Sequence, residues 1–117
     1  MLDVYSSCEL IRINFPGFIE KMLNQKELPN SVKHFISYYA THDQRLKLIK
    51  NHKDFDYNTK YCLCRYSEQD ILLRIIEELQ IDYELRHLIE RFGNSEVIKK
   101  LNDKMNNRFR LSRTSKR

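Results

Sequence analysis

Pro16, Gly17, Pro29 and Gly93 are the only prolines and glycines in 117 residues. A many-stranded sandwich or barrel turns often and draws heavily on both residue types, whereas a helical chain needs far fewer. The scarcity therefore predicts a mainly α fold. It would be one compact multi-helix domain over residues 1–110, followed by a basic flexible tail over residues 111–117. A chain of this length can bury a core without obligatory staples.

Apolar spacing supports helices most clearly in the second half. Ile71, Leu72, Ile75, Ile76 and Leu79 share a broad arc that Leu73 widens, with Arg74, Glu77 and Glu78 mostly opposite. Ser67 and Asp70 supply a start signal for this helix. Asp82 opens another, on which Leu85, Leu88, Ile89 and Phe92 align, and Gly93 is expected to end it in a left-handed conformation. Asn94 or Ser95 then starts a last helix, with Val97, Ile98, Leu101, Met105 and Phe109 along one side.

The first half is less regular. Phe18, Ile19, Met22 and Leu23 predict a helix ending near Leu28, ahead of Pro29. Ser31 or Asn30 starts the next, which carries Val32, Phe35, Ile36 and Tyr39. Asp43 is placed as the cap of a short helix, and residues 51–60 as the longest irregular connection. Two segments suit a short β-strand. One is residues 10–15, where apolar and polar side chains alternate, although Ser6 and Glu9 there also fit a helical capping pair. The other is YCLCRY, residues 61–66. No internal sequence repeat is expected.

Charge is distributed unevenly. The chain carries a formal +5, yet residues 99–117 hold eight Lys/Arg and one acid, a local +7, while the rest is slightly acidic. Such asymmetry favours an anionic partner. The leading expectation is a non-enzymatic accessory or regulatory protein that binds DNA or RNA through its basic C-terminal helix. Lys99, Lys100, Lys104, Arg108 and Arg110 would contact the backbone, with Arg113, Lys116 and Arg117 extending the positive region. Asn106 and Asn107 are the candidates for base contacts. The competing expectation is a protein-interaction module or inhibitor, whose Lys100, Lys104 and Arg108 flank meets an acidic partner surface. The turn FGNSEVIKKL also fits a helix-turn-helix corner, a pattern shared by any capped pair of packed helices.

Three further groupings carry candidate chemistry. Lys33, Arg45, Lys47, Lys50, Lys53 and Lys60 form a second basic set, near which Tyr38, Tyr57, Tyr61 and Tyr66 can stack on bases where exposed. Cys62, Cys64 and His52 offer zinc donors, but a lone CxC lacks paired ligand spacing, so neither metal nor cofactor is expected. His34, His42, His52 and His87 lack a nucleophile or orienting acid at diagnostic spacing, and no glycine-rich phosphate cradle occurs. Three cysteines suit a reducing intracellular compartment, cytoplasm or nucleus, better than a disulfide framework. No apolar run approaches the roughly 20 residues of a membrane-crossing helix.

Overall fold

The computed structural model describes residues 2–115, with side chains as far as residue 106. Eight helices follow one another: α1 (Val4–Arg12), α2 (Phe18–Leu23), α3 (Asn30–Tyr39), α4 (His42–Asn51), α5 (Tyr57–Tyr66), α6 (Gln69–Glu78), α7 (Tyr83–Phe92) and α8 (Ser95–Ser115). No β-strand occurs among the described residues. The expected compact, mainly α single domain is what forms.

The helices pack in two layers. In one, α1, α3, α5 and α7 stand side by side; in the other, α2, α4, α6 and α8 do. Each odd helix also packs on the even helix that follows it. The chain is thus four helix pairs in series. Odd helices begin at residues 4, 30, 57 and 83, a period of 26 or 27 residues. Stacked units of this kind each cover a neighbour's apolar face, because none can cover its own.

The period holds residue by residue. Ile36, Leu63 and Ile89 occupy equivalent places on α3, α5 and α7, and Leu48, Ile75 and Leu101 do so on α4, α6 and α8; all six are buried. Leu28, Phe55 and Ile81, just before successive odd helices, are buried as well. Ala40, Ser67 and Gly93 sit at the two-residue corners between partner helices. The repeat, invisible in residue identity, is one of hydropathy, size and caps.

Local signals fix most starts. Asp3, Asp56, Asp82 and Asn94 each accept the backbone N–H three residues on, at 2.7, 2.9, 2.8 and 3.0 Å. Thr41, not Asp43, caps α4, in a reciprocal box with Gln44. Glu68 precedes α6 without a side-chain bond, so Ser67 does not cap it. The second helix stops at Leu23, and Leu28 is buried within the connection that follows.

Neither expected β segment forms. Residues 61–66 are the end of α5, which Asp56 and Thr59 start and which packs on α3, α6 and α7. Contact on several sides buries Cys62, Leu63 and Cys64 consecutively, a run that hides helical periodicity. Residues 10–15 close α1 and turn: Ile11 is buried, but Ile13 and Phe15 are exposed, so the alternation does not mark one face.

Gly93 is also corrected. Its φ is −79°, outside the left-handed region. It is needed because the backbone approaches α8 closely: a Cβ there would lie 2.6 Å from Val97 Cγ1 and 2.7 Å from the Ile89 carbonyl oxygen. Gly93→Ala is expected to cost about 1–3 kcal/mol in urea unfolding, the range for forced overpacking.

His52 occupies the place in its repeat that buried Leu79 takes in the next. Its imidazole is buried, Nε2 has no hydrogen-bond partner, and burial pulls its pKa below 6.5. The unfolded chain thus protonates first on acidification, so stability falls as pH drops below about 6.5 and levels off under the lower folded-state pKa. His52→Leu should flatten that part of the stability–pH curve, measured by denaturant titration.

Candidate interaction surface

Of the three C-terminal cations whose side chains are described, two are engaged within the fold. Lys99 is exposed and makes no ion pair among the described residues. Lys100 pairs with Glu77, holding that carboxyl below its usual pKa. Lys104 is half-buried, and its ammonium donates to the Ile76 and Leu79 carbonyls at the end of α6. Asn106 is exposed. The side chains of Asn107, Arg108, Arg110 and Arg113, together with Lys116 and Arg117, lie outside the described residues.

Most of the second basic set is engaged within the fold, Lys50 being exposed with no ion pair among the described residues. Lys33 is buried and donates to the Asp54 carbonyl. Lys47 meets Glu20 at 2.7 Å, and Lys53 meets Glu78 at 3.2 Å. Lys60 reaches Asp82 at 2.7 Å and Glu84 at 3.2 Å. Burial alone would lower the Lys60 pKa, but hydrogen bonds to those two carboxylates outweigh it and raise the value. Arg45 is the most committed. Its guanidinium donates to the carbonyls of Ser37 at 2.9 Å, Tyr38 at 2.9 Å and Tyr66 at 3.2 Å, tying the ends of α3 and α5 together.

The cysteine set does not converge. Cys8, Cys62 and Cys64 are free, buried thiols, and burial pushes the pKa of Cys64 up to about 12. Inert packing follows from that environment. Among the described residues, the donor group close enough for a metal is His42, Glu68 and Asp70, whose ligand atoms lie within 4.8 Å of one another. There the imidazole faces two carboxylates: Nε2 lies 2.9 Å from Asp70 and Nδ1 3.7 Å from Glu68. The cluster joins the N-terminal ends of α4 and α6.

What the layer of odd helices presents is aromatic. Tyr38 and Tyr39 on α3 meet edge-on at 4.7 Å, and Tyr38 meets Tyr66 of α5 at 5.1 Å. The Arg65 guanidinium lies over both Tyr66, at 5.4 Å, and Tyr61, at 5.6 Å, and donates to the Tyr61 hydroxyl. Tyr61 meets Phe92 of α7 at 5.7 Å, and Arg91 lies over Phe92 at 5.0 Å. One connected row of rings and guanidinium groups therefore crosses three helices. Tyr38, Tyr39, Tyr57 and Tyr66 are exposed, while Tyr61 and Phe92 are half-buried against the core. Neither Arg65 nor Arg91 has an acidic partner among the described residues.

Of the basic set expected near Tyr38, Tyr57, Tyr61 and Tyr66, Arg45 meets the Tyr38 and Tyr66 backbone, while the guanidinium over the Tyr61 and Tyr66 rings is that of Arg65. The available signal was the pair Arg65–Tyr66 recurring as Arg91–Phe92 one repeat later. The corner between α7 and α8, the expected helix-turn-helix site, is one of three matching two-residue corners. No helix among the described residues is long and apolar enough to cross a membrane. Comparisons with protein-family models, curated proteins and solved structures return no match.

Arg45→Met should destabilise the fold by about 2–3 kcal/mol, because it strips charged donors from three carbonyls in a partly buried joint. Lys47→Ala, which removes an exposed pair, should cost less than about 1 kcal/mol. Paired urea titrations check both.

Proposed function

We propose that this protein is a non-enzymatic protein-interaction module that uses the arginine–aromatic face of α3, α5 and α7. The observation that carries this reading is the row of exposed tyrosines with Arg65 and Arg91 laid over rings and without acidic partners among the described residues. Tyrosine and arginine are the residue types enriched where proteins meet, whereas lysine is depleted there. A stack of short helices also supplies a stiff, extended platform for such a surface.

Direct binding of DNA or RNA by the C-terminal helix is the second reading. Its support is the +7 over residues 99–117, with exposed Lys99 and Asn106 on the described part. Against it, the internal bonds of Lys100 and Lys104 would have to be given up or shared before either could serve a phosphate.

Affinity capture separates the two. Cell extract, with and without nuclease treatment, is passed over immobilised wild type and an Arg65→Ala/Arg91→Ala variant with matched helicity. Proteins held by the wild type and lost by the variant are expected. Capture of nucleic acid alone, unchanged in that variant and lost on Lys99→Ala, would contradict the protein-partner reading.

A further inference from the structure

We infer that the arginine–aromatic face takes an extended, acidic, proline-rich peptide in the polyproline II conformation, with acidic residues three apart. This rests on the interaction-module reading and names the partner of the same face. Arg65 and Arg91 are equivalent residues of adjacent repeats, one residue before the ends of α5 and α7. The helices α5 and α7 that carry them pack side by side, and helices so packed stand about 8–10 Å apart. A polyproline II chain brings every third residue back to the same side after about 9.3 Å, so carboxylates three apart match that helix spacing. A β-strand returns every second residue after roughly 6.6 Å and falls out of step.

Charge complementarity selects acid over base, since neither arginine meets a carboxylate among the described residues. The third repeat offers a ring at the same position: Tyr38 is the equivalent of Arg65 and is exposed. A proline ring packs on a tyrosine face, and the stiff polyproline chain loses little entropy on docking. Tyr61 and Phe92 then line the path between the charges, and Tyr66 the path from Arg65 to Tyr38. A single strand of nucleic acid also offers charge and flat rings, but its grooves usually combine many backbone-tracking cations with their stacking aromatics. Among the described residues, two guanidinium groups lie over the rings of this row.

The test uses the full chain and fluorescence anisotropy with a labelled peptide, Pro-Pro-Pro-Glu-Pro-Pro-Glu-Pro-Pro. Comparison probes carry lysine for glutamate, glutamates two apart instead of three, or a labelled oligothymidine strand. Arg65→Ala and Arg91→Ala should each weaken binding of the first peptide about tenfold. Tyr38→Ala should weaken it with helicity unchanged by circular dichroism. Preference for three-apart glutamates, lost in the arginine variants, is expected. Equal, arginine-dependent binding of both glutamate spacings would overturn the polyproline occupant and leave the interaction-module reading standing. Arginine-dependent preference for oligothymidine would overturn both. Absence of peptide binding by a wild type that still captures proteins through Arg65 and Arg91 would overturn this inference alone.

Discussion

Each helix pair here has more apolar surface than it can cover by folding on itself, and that constraint governs the architecture. Leu48, Ile75 and Leu101, like Ile36, Leu63 and Ile89, are excluded from water because neighbouring pairs lie against one another. Complete burial of one such side chain is worth roughly 1.5–3 kcal/mol, so loss of a neighbour removes a large fraction of what orders a pair. The contacts run along the series, from α1 through α3 and α5 to α7 in one layer and from α2 to α8 in the other. Stability of such a stack is close to a sum over neighbours.

The same packing explains what happens to charge. Every helix ends with carbonyl groups that have no partner in its own ladder, and stacking brings several such ends together away from water. Long cationic side chains meet this need: Arg45 at the ends of α3 and α5, Lys104 at the end of α6, and Lys53 on the Ile49 carbonyl of α4. A cation at that pole also opposes the helix dipole favourably. These cations therefore serve the fold before they can serve a partner. Among the described residues, Arg65 and Arg91 lie on rings instead of carboxylates.

The sequence disclosed the elements whose signals are local. The apolar arc of α6 and the caps at Asp82 and Asn94 were legible because a few neighbouring residues determine them. Residues 61–66 misled because α5 is covered on several sides, which erases the contrast between its faces. Gly93 was recognised as special for the wrong reason, since its proximity to Val97 depends on how α8 crosses α7. The repeat escaped notice because leucine, isoleucine, threonine and phenylalanine exchange at matching buried places. Of the candidate site, the tyrosines were legible, but which cation lay beside which ring depended on which helices became neighbours.

The arginine–aromatic face exists because pairs 26 or 27 residues apart bring equivalent positions side by side. Proton NMR of the free protein measures that arrangement directly through nuclear Overhauser contacts between assigned aromatic rings. Cross-peaks are expected between Tyr38 and Tyr66 and between Tyr61 and Phe92, whose ring centres lie 5.1 and 5.7 Å apart. A folded protein in which both pairs lack contact, or in which Tyr38 instead meets Phe92, would contradict the stacking of successive repeats.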